Sequence, residues 1–191
     1  MNRACGRWCA PAVLAASLAI YTLTLCPTVY VEGAGELIGA VHLLGTPHPT
    51  GYPLFCLVGR LFSALLPWGS VAWRVNLASA FTASLAAASL AALLHSRGVR
   101  PWAAWGAGMA FAASRTFWSQ AVIAEVYGLG VGLAVVAMGL GLRTTQTRQP
   151  RWLLATGWAA GLGLAAHLNQ VLVWPGLALL LVWRWPGLWR R

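Results

Sequence analysis

An all-α, polytopic membrane bundle is the fold class the sequence predicts, on three observations. Of 191 residues, 59% are hydrophobic and 8% charged, too little charge to cover a soluble domain of this length. The apolar stretches approach the roughly 20 residues that cross a hydrocarbon core. The 12 tryptophans suit the membrane–water interface. Candidate spans are 9–26, 75–94, 102–118, 124–142, 152–167 and 170–185, about six in one domain covering 1–191, with an outer loop at 27–74.

The balance of 13 Lys+Arg against 3 Asp+Glu gives a formal charge of +10, and every one of those cations is arginine. They fall in short runs between apolar stretches, with no basic stripe or aromatic platform for nucleic acid, which is excluded as a partner. Arg3 and Arg7 precede an apolar run, as in a signal peptide. No small-x-small site follows directly, and the run reads as an uncleaved first span. Cys5, Cys9, Cys26 and Cys56 lack metal spacing and read as small apolar residues, a Cys26–Cys56 disulfide being the minor alternative.

The ambiguous segment is 52–66, bracketed by Pro53 and Pro67 and carrying Arg60 at its middle. Thirteen helical residues span about 20 Å, short of a core about 30 Å thick. Cys56, Gly59, Arg60 and Ser63 share one face and leucines cover the rest, the pattern of a helix lying in the interface. With that segment outside, ten arginines become cytoplasmic and only Arg60, Arg74 and Arg115 face out. The same topology, with a cytoplasmic N-terminus in the inner membrane, puts Glu32, Glu36, Glu125, His42, His48 and His167 on the outer face. Serine, glycine and alanine line the spans, notably 75–94 and 128–141, as helix packing in lipid favours.

Four polar groupings stand out there, each with an ordinary reading beside it. Glu32 and Glu36 in Val31-Glu-Gly-Ala-Gly-Glu36 share one helical face, and a carboxylate at a dry interface can serve as a base. They equally suit two headgroup-level acids. Gly45-Thr-Pro-His-Pro-Thr-Gly-Tyr-Pro53 holds His48 between two prolines, with Tyr52 following. Such rigidity favours a functional loop over a connector. Arg115 and Glu125 fall at the outer ends of two apolar stretches, as ligand-binding charges or as a mutual ion pair. His167-Leu-Asn-Gln170 puts His167 and Asn169 in a polar turn that a helical hairpin alone would explain. No metal, phosphate-loop, dinucleotide or serine-nucleophile motif is present.

The ordered motifs Cys26-Pro-Thr-Val, Gly35-Glu-Leu-Ile, Leu44-Gly-Thr-Pro-His-Pro-Thr-Gly-Tyr-Pro-Leu54, Gly59-Arg-Leu-Phe, Ala72-Trp-Arg-Val-Asn-Leu77 and Ser114-Arg-Thr-Phe-Trp-Ser-Gln-Ala-Val-Ile-Ala-Glu-Val-Tyr127 are similar to a large membrane-protein family. It was long labelled a domain of unknown function. It includes the animal transmembrane O-mannosyltransferase that modifies IPT domains of receptors. The resemblance runs from about residue 21 to 169 and implies the N-terminal part of a GT-C glycosyltransferase. Such an enzyme takes a sugar, here mannose, from a polyprenyl-phosphate carrier to an acceptor protein or glycan on the outer face.

By that resemblance Glu36 matches the last position of the family's Asp-Ser-Gly-Glu motif, while Gly33 and Ala34 replace the Asp and Ser. Glu36, or Glu32 standing in for the missing Asp, would deprotonate the acceptor. Arg74 and Arg115 would bind the carrier phosphate, and His48, Tyr52, Glu125, His167 and Asn169 would orient donor or acceptor. The donor is a substrate, and no other cofactor is implied. Family members carry further spans, which suits truncation at the C-terminus. The alternatives are a non-catalytic subunit, favoured by Gly33, and a small transporter, disfavoured because no charge lies at mid-depth of a predicted span.

Overall fold

The computed structural model describes residues 8–185 except 32 and 50, together with residue 187. Among these residues the structure is all-α. In chain order it forms α1 (Cys9–Leu23), α2 (Ala34–Leu43), α3 (Pro53–Leu65), α4 (Val71–Ser96), α5 (Pro101–Ala112), α6 (Arg115–Ala121), α7 (Tyr127–Thr147), α8 (Pro150–Ala166), a 3₁₀ turn (Leu168–Leu172) and α9 (Val173–Arg184).

Proline and small polar residues set most boundaries. Pro53, Pro101 and Pro150 each open a helix at its first position, where a missing N–H costs nothing. Ser70 caps α4 by accepting the Trp73 N–H at 3.1 Å. Helix α2 closes with Leu44 in the left-handed region (φ 51°), and the Gly45 N–H reaches back to the Ala40 carbonyl at 2.9 Å. Two arginines close further ends. Arg60 Nη1 donates to the His42 carbonyl in the last turn of α2 at 2.9 Å. Arg74 Nη1 donates to Ser63 at the end of α3 at 2.8 Å, and its remaining nitrogens bond the Trp68 and Gly69 carbonyls. Cations suit the orphan carbonyls of a helix C-terminus.

Helix α4 is the central element, packed against α1, α3, α5 and α7. Its buried positions are almost all alanine, serine or threonine, with Val75 and Asn76 near its start. Small side chains bring backbones together. A Cβ on Gly128 of α7 would lie 2.8–2.9 Å from the backbone and Cβ of Ala83, and one on Gly108 of α5 would lie 3.1 Å from the Ala87 carbonyl. With no hydrophobic drive between helices in lipid, such close approach supplies the attraction. The small-residue lining expected at 75–94 and 128–141 is therefore where the two helices meet. Amphipathic α3 buries Phe55, Cys56, Gly59 and Ser63 and exposes Leu57, Leu61 and Leu65, an apolar outer face. Cys9, Cys26 and Cys56 are free thiols, so the Cys26–Cys56 disulfide is not formed.

Two helices, α4 and α7, are long and apolar enough to cross a membrane by length and composition. The other expected spans are shorter. Helix α1 has 15 residues, α8 17 and α9 12. The run expected at 102–118 breaks at Ser114, whose extended backbone separates α5 from α6. The stretch expected to enter a helix at 124 does so at Tyr127, leaving Glu125 in an irregular turn.

The Ala83–Gly128 approach yields a stability prediction. Gly128→Ala forces backbone apart and is expected to cost about 1–3 kcal/mol despite alanine's better helix propensity. Gly161→Ala in α8, where the new Cβ meets nothing within 4 Å, is expected to be neutral or mildly stabilising. Thermal unfolding of both variants in detergent checks the contrast.

Candidate functional site

The site is assembled from three connections. The first is the turn into α2. Gly33 precedes the helix at φ +89°, and its carbonyl accepts the N–H groups of Glu36 and Leu37. That starts the helix so that Glu36 sits in its first turn, where a carboxylate is favoured by the helix dipole. The second is the proline-rich loop 45–52. It leaves the end of α2 and doubles back, turning tightly where the Gly51 N–H bonds the His48 carbonyl at 3.0 Å. Gly51 (φ 88°) supplies the left-handed step there, and Tyr52 (φ 42°) follows it before Pro53 opens α3.

The return path places His48 on Glu36 twice. Its backbone N–H donates to Glu36 Oε1, and its ring Nδ1 lies 2.8 Å from Oε2. Both side chains are about half exposed. The His48 ring bond first, then its backbone N–H, holds the Glu36 carboxyl below the usual glutamate range. On the other side of the ring, Nε2 lies 3.0 Å from the Tyr52 hydroxyl. With Glu36 ionised, Nδ1 carries the proton and Nε2 accepts from Tyr52. The result is a carboxylate–imidazole–phenol chain across one loop.

The third connection brings the far half of the molecule to the same place. Ser79, buried in α4, donates its hydroxyl to the Glu125 carbonyl at 3.1 Å and accepts the Glu125 N–H at 3.0 Å. Three residues earlier, Asn76 Nδ2 donates to the Cys26 and Thr28 carbonyls, and the Cys26 N–H reaches Val122. One stretch of α4 thus pins both the exit of α1 and the turn before α7. His167 ends α8, stacks on Tyr127 at 5.6 Å between centroids and lies 5.3 Å from the Tyr52 ring. Its Nδ1 accepts the Asn169 N–H at 3.0 Å, which puts the proton of the neutral ring on Nε2. Burial, and then the proximity of His48, pushes its pKa down, so it is neutral at neutral pH.

These groups border one cavity of about 120 Å³, lined by Gly33, His48, Tyr52, Glu125, Tyr127 and His167 with Leu37 and Val126. That is small beside the 300–1,000 Å³ typical of ligand pockets. It can admit the reactive edge of a larger molecule rather than the whole of it. Among the described residues no group of three His, Cys, Asp or Glu is placed to hold a metal ion.

Of the expected site residues, His48, Tyr52, Glu125 and His167 line this cavity and Glu36 supports it through His48. Glu32 lies outside the described residues. Arg74 is occupied by the carbonyls at the end of α3, and Arg115 is exposed at the first position of α6, so neither borders the cavity. Asn169 is exposed and contributes its backbone N–H to His167. Tyr127, Asn76 and Ser79 were missed. Tyr127 was within reach of sequence reasoning as an aromatic two positions after an acid. Asn76 and Ser79 are polar residues in an apolar helix, a signal for buried hydrogen bonding.

A family profile described as "Protein O-mannosyl-transferase TMEM260 N-terminal domain" matches residues 33–189. The chain belongs to this family. It is similar to Protein O-mannosyl-transferase TMEM260 of Mus musculus, with 37% identity over 84% of the chain and 24% of the mouse protein. It is also similar to Protein O-mannosyl-transferase tmem260 of Dictyostelium discoideum, with 31% identity over 68% of the chain and 16% of that protein. The chain thus spans a quarter or less of the length of these curated relatives. No solved structure matches.

The Glu36–His48 contact has a defined pH dependence. Because the Glu36 pKa is lowered on folding, its contribution is complete above the ordinary glutamate value of 4.5 and is lost as pH falls through the lower folded value. The His48 amide proton, which bonds Glu36, is expected to titrate in NMR of the chain in micelles with a midpoint below 4.5. A midpoint at or above that value contradicts the contact.

Proposed function

We propose that this chain is a membrane glycosyltransferase module that transfers a sugar, mannose by family likeness, from a polyprenyl-phosphate carrier to an acceptor hydroxyl on protein. The observation that carries the reading is the Glu36–His48–Tyr52 chain ending at a cavity shared with Glu125 and His167. It occurs in a chain whose relatives are named protein O-mannosyl-transferases.

Sugar transfer to a hydroxyl needs a proton acceptor on the nucleophile and stabilisation of the departing phosphate. Glu36 fixes the His48 tautomer and so acts through the imidazole rather than on substrate. His48 and Tyr52, bonded through Nε2, both meet the cavity, and an acceptor hydroxyl entering there can exchange into the same hydrogen-bond chain. Glu125 is the carboxylate-bearing residue that lines the cavity itself. Arg115, exposed at the same end of the molecule, is the cation left to meet the carrier phosphate once Arg74 is committed to carbonyls. The GT-C assignment, the six crossings and the outer-face orientation in the plasma membrane rest on family likeness and arginine bias. Helices shorter than about 20 residues then cross by pairing with adjoining turns or in a locally thinned bilayer.

Transfer from polyprenyl-phosphate mannose by the purified chain is the test. Glu36→Gln is expected to reduce it at least 100-fold, within the usual range for acid–base groups. Tyr52→Phe, which keeps the ring contacts with His48 and His167, is expected to lower kcat about 10-fold or more. Undiminished turnover in both variants removes the relay from the reaction.

A second reading, a non-catalytic family member, is favoured by Gly33, which stands where the family has an Asp. Gly33 borders the cavity, and a Cβ there meets nothing within 4 Å. Its φ of +89° strains any L-residue, though aspartate tolerates the left-handed region better than most. Gly33→Asp is therefore expected to fold with a small loss of stability. If the parent chain is inactive, the variant is expected to gain measurable transfer.

A further inference from the structure

At the end of the molecule opposite this cavity, α4 and α7 diverge around a groove of about 510 Å³. Its walls are apolar, including Leu93 from α4 and Val136 and Leu140 from α7, and its mouth carries Ser96, Arg97, Arg143 and Gln146. The helix register brings the two arginines together. Gly132 packs on Ala86 and Gly139 on Leu93, and the same offset carried on by one turn sets Arg143 opposite Arg97. Both arginines are exposed.

These two guanidinium groups differ from those of Arg60, which donates to the His42 carbonyl, and Arg74, which donates to three carbonyl groups. Among the described residues neither Arg97 nor Arg143 donates a side-chain hydrogen bond to carbonyl or carboxylate, and Arg143 stacks on the Trp152 face at 3.8 Å. The described acids, Glu36 and Glu125, both lie at the other end of α4 and α7. Two like charges facing across one groove repel unless an anion sits between them, and guanidinium pairs bind phosphate through parallel charge-assisted hydrogen bonds.

We propose that this groove binds an anionic glycerophospholipid, its phosphate between Arg97 and Arg143 and one acyl chain along Leu93, Val136 and Leu140. Polar donors at the mouth, an apolar trough below and positive charge with no described acid beside it match the two halves of such a lipid. Basic pockets between membrane helices recognise anionic headgroups by this chemistry. The site is independent of any transfer reaction.

The experiment is thermal unfolding of the purified full chain in neutral detergent, titrated separately with phosphatidylglycerol, phosphatidylcholine and inorganic phosphate. Phosphatidylglycerol is expected to raise the midpoint saturably, and the other two to raise it little. Arg97→Gln/Arg143→Gln is expected to weaken the apparent affinity at least 10-fold with the lipid-free midpoint unchanged. Arg100→Gln/Arg148→Gln removes equal charge outside the groove and is expected to weaken it less than two-fold. Gly139→Leu, which fills the trough and keeps both arginines, guards against a misfolded double variant and is also expected to lose binding. Equal losses in the two double variants, wild-type affinity in Gly139→Leu, or a matching shift with inorganic phosphate overturns the proposal.

Discussion

The close approach of α4 and α7 at Ala83 and Gly128 is the constraint on which the rest of the arrangement depends. One turn above it, Ser79 grips the backbone of Glu125 with two hydrogen bonds. The turn before α7 is therefore positioned by α4 rather than by its own sequence. Were the helices a methyl group further apart, the serine hydroxyl could not bridge to Glu125. Interhelical contact and site geometry are in this sense one feature.

Polar groups inside α4 extend the same logic. Asn76 is fully buried, and its amide nitrogen ties down the chain leaving α1, while its Oδ1 has no hydrogen-bond partner among the described residues. A buried unsatisfied acceptor costs on the order of 1–3 kcal/mol. The backbone carbonyls of Ala40 and His42 at the end of α2 and of Phe62 and Ser63 at the end of α3, by contrast, are met by turn N–H groups or arginines. The cavity end of the molecule is held largely by directional bonds, and at the other end a buried Thr144–Thr156 hydroxyl pair adds to close helix packing.

The all-α class was readable from the sequence, and three prolines in nine residues marked 45–53 as a stiff, non-helical loop. What the sequence conceals is where a side chain spends its hydrogen bonds. Arg74 looks like a phosphate ligand until the carbonyls of Ser63, Trp68 and Gly69 are seen around it. Glu36 looks like a base acting on substrate, whereas the returning loop puts His48 between it and the cavity. The break falls at the polar Ser114-Arg115-Thr116, which the expected span 102–118 ran across. Helices α1 and α9 fall short of the apolar runs that suggested them, whereas α4 and α7 extend past theirs, since hydropathy does not record where backbone bonding stops.

Charge is sorted along the long axis of the bundle. The described carboxylates gather at one pole, while Arg97, Arg100, Arg143, Arg148 and Arg151 gather at the other. A body built this way has a preferred sense in an electric field. Each elementary charge carried across 100 mV is worth about 2.3 kcal/mol. In the orientation proposed above, with the arginine pole inside, an inside-negative potential would resist inversion of the protein, and collapsing that potential would relax the hold without touching a single contact.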